Sequence, residues 1–101
     1  MTEFVSIDVA STLAGDAVRN LIAQALPDFS WRRGDSDEQG KYISGSATGV
    51  RIQCWVDEKP MAMSISFRNS SMGSDEREQL VDSVLQQLIP QIGKVSKIER
   101  T

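Results

Sequence analysis

The stretch Val50 to Phe67, VRIQCWVDEKPMAMSISF, decides how this chain folds. Val50, Ile52, Cys54 and Val56 alternate with Arg51, Gln53 and Trp55, and Met61, Met63, Ile65 and Phe67 alternate with Ala62, Ser64 and Ser66. A period of two puts each apolar set on one face of a strand. Asp57-Glu58-Lys59-Pro60 between them is turn chemistry, so the stretch predicts an antiparallel hairpin. Placing Val56 opposite Met61 sets Cys54 against Met63, Ile52 against Ile65 and Val50 against Phe67. Every one of these pairs lies on the apolar side, so the register is self-consistent.

The pattern extends in both directions. Upstream, Thr48-Gly49 is a two-residue connection to a strand over Lys41 to Ala47. Ala47 opposite Val50 then sets Ile43 against Cys54 and Gly45 against Ile52. Phe29 to Arg33 predicts a shorter strand, and Val5, Ile7 and Val9 mark a first strand near residues 3–9. Ala14, Ala17, Val18, Leu21, Ile22, Ala25 and Leu26 form the stripe of an amphipathic helix, capped by Ser11 or Thr12 and stopped by Pro27. Leu80, Val81, Val84, Leu85, Leu88 and Ile89 form a second stripe, capped by Ser74 or Asp75 and ended or bent at Pro90. Val95 to Glu99 reads as a last strand with poor alternation. The order β-α-β-β-β-β-α-β predicts an α+β two-layer sandwich, with a mainly antiparallel sheet of five to six strands and both helices on one face. One domain over residues 1–101 is the expectation for this length. The order resembles a ferredoxin-like one with an extra hairpin, a likeness of topology without a shared motif.

Charge and composition bound the function. The net charge is −3 and the sequence pI is about 4.8, a balance that argues against duplex nucleic acid. The start, MTEFVSIDVA, has no cationic or long apolar segment, and no run approaches a membrane span, so the expectation is a cytoplasmic protein without a membrane partner. The chain has no His, which removes the usual general base and the commonest metal ligand. Cys54 is the lone cysteine, on an apolar strand face and without an activating partner. Neither an enzyme nor a cofactor is expected.

Trp31 to Gly45, WRRGDSDEQGKYISG, holds three motif fragments. Arg33-Gly34-Asp35-Ser36 matches an integrin-binding tetrapeptide, which functions only outside the cell. Asp35, Asp37 and Gly40 match part of a calcium loop, but Ser46 stands where the bidentate Glu belongs. Gly34 and Gly40-Lys41 fail as a phosphate loop, because five residues separate the glycines and Tyr42 follows the Lys. Residues 34–39 are therefore read as a solvated hairpin connection.

The same register that buries one sheet face defines the other. Ser46, Arg51 and Ser66 form one row, Ser44, Gln53 and Ser64 the next, and Tyr42, Trp55 and Ala62 a third. If Arg33 faces Gly40 across the loop, Trp31 joins Tyr42 and Trp55. The candidate interaction surface is Trp31, Arg33, Tyr42, Arg51, Gln53, Trp55 and Arg68, rich in the residue types that dominate binding hot spots. The expected function is a small non-catalytic protein-interaction module of adaptor or neutraliser type, binding a protein partner or a second copy. The alternatives are single-stranded nucleic acid stacked on the same face and a small ligand bound between sheet and helices.

Overall fold

The computed structural model describes residues 2–101. The elements are β1 (Phe4–Ala10), α1 (Gly15–Ala25), β2 (Ser30–Ser36), β3 (Gly40–Ala47), β4 (Val50–Trp55), β5 (Met61–Ser66), α2 (Ser74–Ser83), a π-helical turn (Val84–Leu88), α3 (Ile89–Ile92) and β6 (Lys94–Arg100). The strands form one antiparallel sheet in the order β2-β3-β4-β5-β1-β6, and the fold is the α+β arrangement expected from the alternation. One cluster joins Val5, Ile7, Ile43, Ile52, Met63 and Ile65 from the sheet to Val18, Ile22, Val81, Val84, Leu88 and Ile92 from the helices. The opposite sheet face carries no helix.

The central registers follow from the apolar faces. Ile52 lies opposite Ile65 and Cys54 opposite Met63 across β4–β5, and Ile43 lies opposite Cys54 across β3–β4. Thr48 and Gly49 both have positive φ, 53° and 78°, which is what a two-residue turn of type I′ requires. Gly49 is also needed for space, since a Cβ there would fall 2.2 Å from the Asn69 carbonyl oxygen.

The register of β2 differs from the expected one. Ser36, not Arg33, lies opposite Gly40, so the strand runs on through Gly34 and Asp35 and only Asp37, Glu38 and Gln39 form the loop. The shift is an odd number of residues and turns every β2 side chain to the other face. Trp31 therefore lies opposite Gly45 on the helix side, and Arg33 lies opposite Ile43. Burial explains the choice. Trp31 packs against the core, stacks on Phe29 with centroids 5.6 Å apart, and donates its indole N–H to the Leu26 carbonyl at 2.8 Å. Two glycines admit this register from opposite sides. A Cβ at Gly45 would fall 2.5 Å from the Trp31 ring, and one at Gly34 would fall 2.2 Å from the Tyr42 ring.

The helices depart from the expected caps. Neither Ser11 nor Thr12 caps α1: Ala14 holds the N-cap position, and Ser11 Oγ instead accepts from Leu13 N–H at 3.1 Å. Gly73 holds the N-cap position of α2, with no side-chain cap bond. The second helical segment passes through Pro90 rather than ending at it. Pro90 has no N–H to donate one turn back, and the turn before it widens so that Ile89 N–H reaches the Val84 carbonyl. The extra residue brings Leu88, Ile89 and Ile92 to the sheet together, whereas Leu80 and Leu85 are only half-buried. β6 contains a comparable insertion. A bulge at Asp8/Val9 lets Val95 and Ile98, three residues apart, lie opposite Val9 and Ile7, which is why the alternation there reads poorly.

Arg77 is the charged residue in the core. Its Nε donates to the Met72 carbonyl (3.0 Å), Nη1 to Thr2 (2.6 Å) and Nη2 to Ser70 (3.1 Å), and its guanidinium lies 5.4 Å from the Phe67 ring centroid. Truncating Ile52 to Ala is expected to cost about 2–5 kcal/mol. Leu85→Ala is expected to cost only about 1 kcal/mol, because its side chain is half-buried. Arg77→Met keeps the apolar stem but strands three carbonyls, and is expected to cost about 3 kcal/mol or more. Denaturant unfolding of the three variants measures each value, and an Arg77→Met loss below that of Leu85→Ala would refute the anchoring role.

Candidate interaction surface on the open sheet face

The face without helices is built from alternate residues of every strand. Across β3 to β1 the rows run Ser46, Arg51, Ser66, Phe4, then Ser44, Gln53, Ser64, Ser6, then Tyr42, Trp55, Ala62, Asp8. β2 adds Ser30, Arg32 and Gly34 to these rows in turn. Tyr42, Arg51, Gln53, Trp55 and Arg68 thus share this face as expected, while Trp31 and Arg33 belong to the other. Arg33 instead donates to Asn20 Oδ1 of α1 at 2.8 Å. Its sequence neighbour Arg32 takes the place assigned to it, and Phe4 joins the surface. Phe4 was legible in the alternation Phe4, Ser6, Asp8. Arg32 was not, because the loop length between β2 and β3 leaves the parity of β2 open.

Tyr42 and Trp55 are cross-strand neighbours with ring centroids 4.9 Å apart and planes inclined at 57°. The Tyr42 ring lies over Gly34, where the missing side chain leaves room for it. Both rings are half-buried by this packing. Arg51 Nε donates to Ser44 Oγ at 3.3 Å, and Arg68 sits 5.7 Å from the Phe4 ring centroid, a cation–π distance. Between β2 and β4 the surface sinks into a depression of about 450 Å³ bounded by Ser30, Arg32, Tyr42, Ser44, Ser46 and Arg51.

Charge divides the face. From β2 to the end of β5 it carries Arg32, Arg51 and Arg68 and no carboxylate. Towards β6 it carries Asp8, Lys97 and Glu99, with Lys97 Nζ 2.9 Å from Glu99. The hydrogen bond that the Lys97 ammonium donates to the Glu99 carboxylate, and then the Glu99 charge, raise the Lys97 pKa. The ion pairs among the described residues (Arg19–Asp16, Lys41–Asp16, Lys97–Glu99 and Arg100–Glu78) leave Arg32, Arg51 and Arg68 out. Formal charge on the chain is −3, so removing these three arginines leaves −6 for everything else.

Other candidates are weaker. Arg33 to Ser36 is paired strand rather than a displayed loop. No group of three or more His, Cys, Asp or Glu side chains suited to a metal occurs among the described residues, and no helix there is long and apolar enough to cross a membrane. Cys54 is fully buried, and burial, followed by the nearby Glu58 carboxylate, pushes its thiol up to about 12. The thiolate that nucleophilic chemistry needs is therefore suppressed.

No protein-family model matches the chain, and no curated protein matches it in sequence. The Cys54 environment makes a direct prediction. At neutral pH a thiol-specific reagent is expected to label native protein only as fast as it opens, and unfolded protein at the rate of a free thiol. Labelling of native protein as fast as unfolded protein would contradict the buried position.

Proposed function

We propose that this chain is a small non-catalytic interaction module that docks a partner protein on the open face of its sheet. The observation that carries this reading is the Tyr42–Trp55 pair on the same open face as Arg32, Arg51 and Arg68, one row from Arg32 and two rows from Arg51, with no carboxylate on that face from β2 to β5. Trp, Tyr and Arg dominate the energetics of protein interfaces, and aromatic rings held by a neighbour lose little entropy on binding. The lack of a His and the suppressed Cys54 thiol support a non-catalytic role.

A second copy of the chain is the less favoured occupant. Arg51 belongs to one of the two middle strands of the sheet and Arg68 follows the end of the other, so two open faces packed about a two-fold axis through the sheet centre would bring guanidiniums against one another. Single-stranded nucleic acid is the second reading, favoured by the same arginines beside two rings. Its affinity would fall steeply with salt, whereas a protein docked through the aromatic pair would hold in moderate salt.

Site-specific photocrosslinking in the native host cell tests the reading. A crosslinker at Gln53, on the open face, is expected to give one discrete protein adduct, and one at Gln86, exposed on the helix layer, none. Trp55→Ala should abolish the Gln53 adduct while costing only about 1 kcal/mol of folding stability. Equal adducts from both positions, or an adduct indifferent to Trp55→Ala, would overturn it.

A further inference from the structure

We propose that the depression between β2 and β4 is an anion site that receives the carboxylates of an extended acidic segment of the partner protein. This rests on the open face being the docking surface and specifies what is docked there. Arg32 and Arg51 border the depression together with Ser30, Ser44, Ser46 and Tyr42, so the side chains lining it include two guanidiniums and four hydroxyls able to donate to an anion. Neither guanidinium has a carboxylate partner among the described residues. Four of the other cations are paired, Arg19 and Lys41 with Asp16, Lys97 with Glu99 and Arg100 with Glu78, whereas Arg32, Arg51 and Arg68 are gathered unpaired on one face.

The layout sets the shape of the ligand. Arg32 is one row and two strands away from Arg51, and Arg68 is two residues past Ser66, the residue facing Arg51. With strands about 4.8 Å apart and about 3.3 Å per residue, the Cα atoms of Arg32, Arg51 and Arg68 lie on an oblique line, with steps of roughly 12 and 8 Å. An extended peptide of about six residues spans that line and places carboxylates on one side at alternate positions. Arg51, tethered to Ser44, and Arg68, resting on Phe4, are held on the face before any ligand arrives.

Net charge separates an acidic peptide from nucleic acid. The chain outside the three arginines carries −6, so a strand with a phosphate at every nucleotide would be repelled wherever it ran past the patch. A segment no longer than the patch avoids that repulsion.

The face assignment offers a sharp test, because Arg32 and Arg33 are adjacent in sequence and on opposite faces. The probe is an unstructured peptide with Glu at alternate positions, alongside its Gln counterpart and an oligothymidylate of similar length. Binding is followed by amide and arginine Nε–H resonances at physiological ionic strength. The Glu peptide is expected to shift the Arg32 and Arg51 signals and the Gln peptide to leave them unchanged. Arg32→Ala and Arg51→Ala should each weaken binding about tenfold, and Arg33→Ala by less than about twofold. Equal loss with Arg33→Ala would reveal diffuse attraction and overturn the site. Absence of shifts at millimolar peptide, or tighter binding of the oligothymidylate through the same residues, would also overturn it. The Gln53 crosslink separates the two readings. An adduct that survives loss of Arg32 and Arg51 but not Trp55→Ala leaves the docking surface and removes the anion site, whereas no adduct from the parent chain removes the docking surface.

Discussion

Two separate pieces of backbone converge on the Arg77 guanidinium of a third element. Thr2 precedes β1, Ser70 and Met72 belong to the connection between β5 and α2, and Arg77 itself stands in the first turns of α2. A buried positive charge is tolerable only when dipoles replace its lost water, and here three carbonyl oxygens and the Phe67 ring do so. The arrangement sets where α2 begins and how it meets the end of the sheet. With α2 seated there, Val81, Val84 and Leu88 fall on the apolar face of the strands, and the layer closes on that side alone. The open face exists because this anchoring, and the packing that follows from it, commits the helices to one side.

Two one-residue adjustments keep the core continuous where simple periodicity would break it. The π-helical turn before Pro90 and the bulge at Asp8/Val9 each change the phase of an element by one residue. In the helix the adjustment turns Ile89 and Ile92 towards the core along with Leu88. In β6 it sets Val95 and Ile98 on the helix side, at an edge where they are 39% and 38% exposed. The charged residues Lys94, Lys97, Glu99 and Arg100 and the bulge itself discourage a further strand from pairing there. An edge defended in this way directs attention back to the broad face as the surface open to a partner.

The β2–β3 pair shows how a site can depend on a residue that is absent. Gly45 makes room for Trp31 on one side of the sheet, and Gly34 makes room for Tyr42 on the other. The two exchanges together select a single register. They send one Trp into the protein and hold the Tyr42 ring where it supports Trp55. The same register brings Arg32 to the open face and Arg33 to α1, so the charge pattern of the surface and the packing of the core are consequences of one choice.

The alternation of Val50 to Phe67 and the stripes of Val18–Ile22 and Val81–Leu88 determined the element order, the central registers and the existence of a bare sheet face carrying Tyr42, Arg51, Gln53 and Trp55. These are local properties: a period of two or of 3.6 residues states which side of an element is apolar before any neighbour is known. The parity of β2 was not local. Trp31 and Arg33 sit in a segment with no clean alternation, and only the Leu26 carbonyl, the Phe29 ring and the space over Gly45 decide that Trp31 turns inward. Arg77 lies on the buried stripe, four residues before Val81, but a charged side chain gives no local signal of burial; the Thr2 carbonyl, from the far end of the chain, and the nearby Ser70 and Met72 carbonyls are what receive it. A hydrogen-bond partner or a cavity contributed from elsewhere in the chain can reverse the cost of burying a polar group. For that reason tertiary structure alone decided which arginine entered the core and which ones were left unpaired on the open face.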